Sequence, residues 1–258
     1  MLGLLIGASA LFGLEIGSFL NVVIYRVPRH TSVVSPRSAC PVCSTPIRNR
    51  DNIPVISWLL LKGHCRDCQA PISARYPLVE LACSALFAGA AARVGYNWDL
   101  PAFLALLAGL LALSLIDIEH LLLPKVIVYP TLGFVGAFLT LAAIMTGQWH
   151  RLLIAALCAL VWFVVFFLLN FASPRLLGFG DVRLAPVIGL GLGWLGVRYV
   201  VLGFFAANLI GAIIGVALIA TKRMRRDQQI PYGIFLALGA AFALYVGPEI
   251  LAPLNRFY

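Results

Sequence analysis

The sequence is short of charge. Only 11% of its 258 residues are Asp, Glu, Lys or Arg, against about a quarter in an ordinary globular protein. Acids are scarcest, with 10 Asp and Glu against 19 Lys and Arg. There are 4 His and 3 Met. A soluble chain this poor in charge has too little polar surface to cover itself. That excludes a cytosolic enzyme, a disordered chain and a disulfide-stapled secreted module. What is plentiful is apolar: 62% of residues are hydrophobic, and the mean hydropathy is +0.97. An all-α polytopic membrane protein remains.

A membrane helix needs roughly 20 mostly apolar residues. Eight stretches qualify as spans: 2–24, 77–95, 100–116, 126–146, 152–171, 184–197, 199–221 and 233–251. The sixth is the weakest. At 1.5 Å per residue it reaches about 21 Å, short of a hydrocarbon core of about 30 Å.

The net charge of +9 follows the membrane. Eight spans with both termini outside put Arg26, Arg29, Arg37, Arg48, Arg50, Lys62, Arg66 and Arg75 in the first inside loop. Lys125, Arg175, Arg183 and the Lys222, Arg223, Arg225, Arg226 cluster also fall inside. Only Arg93, Arg151, Arg198 and Arg256 lie outside. That asymmetry is the positive-inside pattern, and it supports a crossing by the short sixth stretch. No basic residue precedes the first span and Arg26 follows it, unlike a cleavable signal peptide. The first span therefore reads as a permanent helix. Since the basic residues follow the topology, and no aromatic–basic recognition module appears, the expected partner is the lipid bilayer and not nucleic acid.

The chain reads as a first transmembrane helix (1–25), a cytoplasmic loop (26–76) and a membrane body (77–258). No internal repeat or low-complexity tract stands out. The loop holds Cys40-Pro-Val-Cys43 and Cys65-Arg-Asp-Cys68, with 21 residues between the pairs. Two CxxC units near this separation are the pattern of a tetrahedral zinc site. A cytoplasmic loop stays reduced, where thiols persist. Four cysteines leave no open coordination position, so the expected zinc is structural. Ordinary thiols or a redox pair are the alternative. Cys83 and Cys158 fall within spans as small core residues. His64 adjoins Cys65 and is a possible donor to a metal-bound sulfur.

With so few acids, each can be placed. Asp51, Asp67, Asp99, Asp227 and Glu249 lie in loops or at ends. Glu15, Glu80, Asp117, Glu119 and Asp181 lie in or near spans, where an acid is costly and a functional candidate. Asp117 closes the third span and Asp181 follows the fifth, in Gly178-Phe-Gly180-Asp181. Both fall at the cytoplasmic face. Two carboxylates sharing one proton are the working unit of an aspartic protease. Glu119 is two residues from Asp117 and does not face it on a helix, so Asp117 needs a distant partner. Gly178 and Gly180 permit a non-helical turn that presents Asp181. The residues alone leave two readings: a catalytic dyad, or two unrelated acids pairing with Lys125, Arg175 or Arg183.

Several motifs in order resemble the type IV prepilin peptidase family. They are Gly17-Ser-Phe-Leu-Asn21-Val-Val-Ile-Tyr-Arg26-Val-Pro28, the two CxxC units with Asn52-Ile-Pro54-Val-Ile-Ser57-Trp58 between them, and Arg75-Tyr-Pro-Leu-Val-Glu80-Leu. Ser114-Leu-Ile-Asp117 and Gly178-Phe-Gly180-Asp181 complete the set. The resemblance implies a membrane aspartic endopeptidase of the inner membrane. Such an enzyme cuts a short basic leader from type IV prepilins or type II secretion pseudopilins, typically between Gly and Phe. Many relatives then methylate the new N-terminus with S-adenosylmethionine. Asp117 and Asp181 match the family's catalytic pair. One departure is Pro124-Lys125, where relatives usually carry Pro-Asp; it argues against an essential third acid there. Glu80 matches a family motif and either orients the cysteine loop, serves the transferase site or forms an interfacial salt bridge with Arg75. Glu15 has no assigned role.

Three alternatives stay open: a protease without methylation, an intramembrane protease of the broader Gly-x-Gly-Asp type, and a transporter whose acids relay protons. No glycine-rich nucleotide loop follows a strand, so the cofactor-binding residues are unknown.

Overall fold

The computed structural model describes residues 1–173, 177–222 and 230–252. Arg175, Arg223, Arg225, Arg226, Asp227 and Arg256 lie outside the described residues. The protein is all-helical. Among the described residues the only β pairings are the isolated bridges Ala39–Pro46 and His64–Pro71. The chain forms two compact units, Met1–Gly95 and Tyr96–Tyr258.

In the first unit, α1 (Leu2–Arg26) and α3 (Arg75–Val94) pack against each other. The contacts run antiparallel. Gly13 meets Ser84 and Gly17 meets Glu80, while Asn21 Nδ2 donates to the Tyr76 carbonyl at 3.1 Å. Gly13 and Gly17 form a Gly-x-x-x-Gly pair, the small-residue spacing that lets membrane helices approach closely. A Cβ on Gly17 would stand 2.7 Å from Glu80 Cα, and one on Gly13 2.7 Å from Ser84 Cα. Overpacking of this kind costs about 1–3 kcal/mol. The Gly17→Leu variant is therefore expected to unfold several degrees lower in a detergent melt; an unchanged melting temperature would show that the pair is loosely packed.

The second unit holds α4 (Leu100–His120), α5 (Lys125–Thr146), α6 (Trp149–Ala172), α7 (Phe179–Leu195), α8 (Val197–Ala220), α9 (Gly233–Tyr245) and α10 (Gly247–Leu251). Small residues again set the close contacts. Gly189 and Gly193 of α7 lie against the backbone of Ala159 and Ala155 on α6, and Gly239 of α9 lies against Gly203 of α8. At one end of the bundle, buried Trp194 donates its indole N–H to Asp99 Oδ2 at 2.8 Å.

Among the described residues, six helices are long and apolar enough to cross a membrane: Leu2–Arg29, α3, α4, α5, α6 and α8. The other two expected spans are shorter. α7 has 17 residues, a rise of about 25 Å. The stretch 233–251 breaks after Tyr245, leaving a 13-residue α9. Pro248 lies in the first turn of α10, where its missing N–H is tolerated; inside one continuous helix it would break the ladder.

Candidate active site and metal centre

The cysteine loop belongs to the first unit. It starts where Arg26, the last residue of α1, donates to the carbonyls of Ser32 and Pro36 at 2.9 and 2.8 Å. Two turns then repeat one geometry. In the first, the Cys40 N–H donates to Thr45 O and the Ser44 N–H to Cys40 O, at 3.0 and 2.9 Å. In the second, the Cys65 N–H donates to Ala70 O and the Gln69 N–H to Cys65 O, at 2.8 and 3.0 Å. Ser44 and Gln69 both have φ of 58°. The same pairing closes each turn from outside, Ile47 N–H to Ser38 O and Ile72 N–H to Gly63 O. The loop therefore contains a short repeat, whose two copies share the cysteines and a trailing Pro-Ile pair, Cys-x-x-Cys-x-x-Pro-Ile, and differ at the positions between.

The repeated turns bring the four sulfurs together. The Sγ atoms of Cys40, Cys43, Cys65 and Cys68 all lie within 4.8 Å of one another, and Cys40 and Cys68 are 3.7 Å apart. Zinc–sulfur bonds of about 2.3 Å place tetrahedral sulfurs about 3.8 Å apart, so the donor set and its spacing fit the ion. The Cys43 thiol is pulled down to about 6, first by its hydrogen bonds with Thr45. Backbone N–H groups of Cys68 and Asp67 lower Cys65. Both effects favour thiolate, the ligand form, at those two sulfurs, whereas burial and the three neighbouring sulfurs push Cys68 up. Arg66 forks onto Asp51 at 2.6–3.1 Å, which holds the Asp51 carboxyl below the usual carboxylate range. With Arg48–Asp67 at 3.0 Å, this ties the two turns together. His64 Nδ1 lies 2.7 Å from the Lys62 carbonyl. Cys83 and Cys158 are buried among helices.

Between the turns, the short helix α2 (Ile56–Leu60) is held by Trp58, whose indole N–H donates to Ile72 O at 3.0 Å. The entry to α2 is strained. Val55 has φ 60° and ψ −50°, and the Ile56 N–H reaches back to Pro54 O at 2.6 Å, closing a γ-turn of the rare positive-φ kind. A β-branched residue there is a conformational outlier. It is held by Glu80, whose Oε2 accepts the Val55 N–H at 2.7 Å. Of the readings open for Glu80, the geometry favours the orienting one: a buried carboxylate on α3 fastens the cysteine loop. Glu15 is exposed on α1.

The two aspartates belong to the second unit. Asp117 sits one turn from the end of α4 and is 5% exposed; Asp181 is 7% exposed. The non-helical Gly-x-Gly-Asp turn expected from sequence is not what forms. α7 begins at Phe179, with Gly178 as its N-cap in an extended conformation, and Asp181 lies in the first helical turn. An acid there is favoured by the helix dipole, and this offsets the poor helix propensity of Gly180.

Three chain segments meet at the pair. Leu121 turns left-handed at φ 52° and ends α4. Leu123 follows, and its side chain fills the space beside two glycines. A Cβ on Gly180 would stand 2.9 Å from Leu123 Cβ, and one on Gly233 2.9 Å from Leu123 Cδ2. Gly178 adjoins Asp181 Oδ2, 3.3 Å from where its Cβ would be. The carboxylates are near enough for the Asp117 charge to act on Asp181. Asp117 Oδ2 accepts the Gly233 N–H at 2.8 Å, whereas Asp181 Oδ1 is buried with no hydrogen-bond partner. The salt-bridge alternative fails among the described residues. Lys125 is exposed at the start of α5, Arg183 lies over the Phe179 ring at 4.6 Å, and Arg175 is not described. Sequence reasoning missed Leu123 and Gly233. Their signals are faint: a leucine in a turn, and the Pro231-Tyr232-Gly233 triplet before the last apolar run.

Comparison with known proteins agrees with this division. Residues 11–94 match the bacterial peptidase A24 N-terminal domain, and residues 104–216 match the type IV leader peptidase family. The chain is 34% identical to a protein of Stutzerimonas stutzeri over 96% of this chain and 93% of the relative. It is 36% identical to one of Aeromonas hydrophila over 93% and 90%, and 32% identical to one of Bacillus subtilis (strain 168) over 94% of each. All three are named prepilin leader peptidase/N-methyltransferase. No solved structure matches the chain. With both domain matches in order and identity above 30% along nearly its whole length, the chain belongs to the type IV leader peptidase family.

Proposed function

We propose that this protein is a membrane aspartic endopeptidase that removes the basic leader of type IV prepilins or pseudopilins. The observation that carries the reading is that Asp117 and Asp181, two buried acids 64 residues apart in the sequence, converge around Leu123 within electrostatic reach of each other, with no cation paired to either among the described residues. The ionised carboxylate takes a proton from water, which attacks the scissile carbonyl. The protonated partner polarises that carbonyl and then protonates the leaving amine. The unpartnered Asp181 Oδ1 is available to water or substrate. A substrate with a basic leader ahead of an apolar helix carries its scissile bond at the cytoplasmic face. The positive-inside reading, with both termini outside, supports that face for the pair.

Cys40, Cys43, Cys65 and Cys68 would hold one structural zinc. Bound there, the ion cross-links the two turns; four thiolates leave it no open position for chemistry. N-methylation of the new N-terminus with S-adenosylmethionine is supported by the names of the relatives. No residue is assigned to that cofactor, since the described residues form no strand to carry a glycine-rich nucleotide loop.

The test is mass spectrometry of a prepilin incubated with the reconstituted protein and S-adenosylmethionine. The expected spectrum shows loss of the leader and one added methyl at the new N-terminus. Cleavage without methylation would leave a protease only; no cleavage of any prepilin would overturn the assignment.

A further inference from the structure

The segment entering α9 carries chemistry that the dyad alone leaves unused. Gly233 and Ile234 are the first residues of α9, where helix amides have no acceptor within the helix and the dipole is positive. The Gly233 N–H donates to Asp117 Oδ2 at 2.8 Å, and the Ile234 amide faces the same carboxylate. A side chain at 233 would spoil this, because its Cβ would lie 2.9 Å from Asp117 Oδ2.

What fixes this first turn is Tyr232, the residue just before it. Its hydroxyl donates to Asn208 Oδ1 at 3.1 Å. Asn208 in turn donates its Nδ2 to the Phe204 carbonyl at 2.7 Å, so both ends of its amide are engaged and its rotamer is set. Asn208 stands within a 24-residue apolar helix, α8, where a polar side chain is a costly choice unless it bonds across to a neighbour. Tyr232 is also close enough to feel the Asp181 charge. We propose that Tyr232 is a positioning residue of the hydrolytic site: anchored to Asn208, it holds the first turn of α9 so that the Gly233 amide orients the Asp117 carboxylate. This rests on the reading of Asp117 and Asp181 as the catalytic pair.

The experiment measures steady-state prepilin cleavage by Tyr232→Phe, Asn208→Leu and the double variant in proteoliposomes, with Asp117→Asn as reference. Each single variant is expected to lose about tenfold in kcat with KM unchanged, the scale of one hydrogen bond. Because both act through the same contact, the double variant loses no more than either single one. Gly233→Ala, which displaces Asp117 directly, loses about 100-fold. A purely structural role would lower the melting temperature and leave kcat per folded molecule intact, and that result overturns the proposal. Wild-type kcat in both single variants, with Asp117→Asn inactive, also overturns it and leaves the dyad standing. Full activity in Asp117→Asn would instead remove the dyad reading on which it rests.

Discussion

Asparagine at Asp117 or at Asp181 is expected to lower prepilin cleavage by about 10²- to 10⁴-fold, the range that a positioned proton-transfer group supplies. The substitution is nearly isosteric, so packing around Leu123, Gly180 and Gly233 is kept. An asparagine at 117 still presents an oxygen to the Gly233 amide. What is lost is the proton shared between two acids, and with it the bell-shaped pH dependence that such a pair produces. Single-turnover cleavage in proteoliposomes measures the loss, and a thermal melt of the same samples checks folding. A folded Asp181→Asn protein that still cuts at the wild-type rate would remove Asp181 from the chemistry.

The second large effect is expected at the cysteine loop. Cys40→Ser combined with Cys68→Ser, or treatment with a strong chelator, is expected to release one zinc per chain and unfold the loop. Structural zinc contributes on the order of 10 kcal/mol to small domains. About 50 residues build too little core to replace that. The loop's surface ion pairs, Arg48–Asp67 and Arg66–Asp51, are a far smaller resource. Metal analysis and the rate of trypsin cleavage at the loop arginines report the change. A chelated protein that resists trypsin as the native one does would show that hydrogen bonds alone hold the turns.

How much of this was legible in the sequence follows from the kind of force behind each part. Helices such as α4 and α6 are plain, because a bilayer demands long apolar runs and charges punctuate them. Asp117 and Asp181 stand out because acids are rare. The cysteine cluster is written in its spacing. The beginning of α7 was hidden, since Gly178-Phe-Gly180 looks like a turn and only the burial and capping of the folded chain make its second half helical. The break after Tyr245 needed Pro248 to be weighed against an unbroken apolar run. The hold on Asp117 was least visible, because a backbone N–H leaves no mark in sequence and Gly233 differs from other glycines only by what stands next to it. The repeat in the cysteine loop is short in sequence, Cys-x-x-Cys-x-x-Pro-Ile, and its extent shows only in the matching main-chain hydrogen bonds.

One feature of the second unit bears on how the molecule comes into being. Asp117, Asp181 and the Gly233 amide that grips Asp117 lie on three helices spread over more than a hundred residues. While the ribosome is still making α8, a growing polypeptide already owns both acids but has no α9 to seat the first of them. Asp117 gains its backbone donor only when that late helix docks, so the arrangement around the two acids is completed last in synthesis.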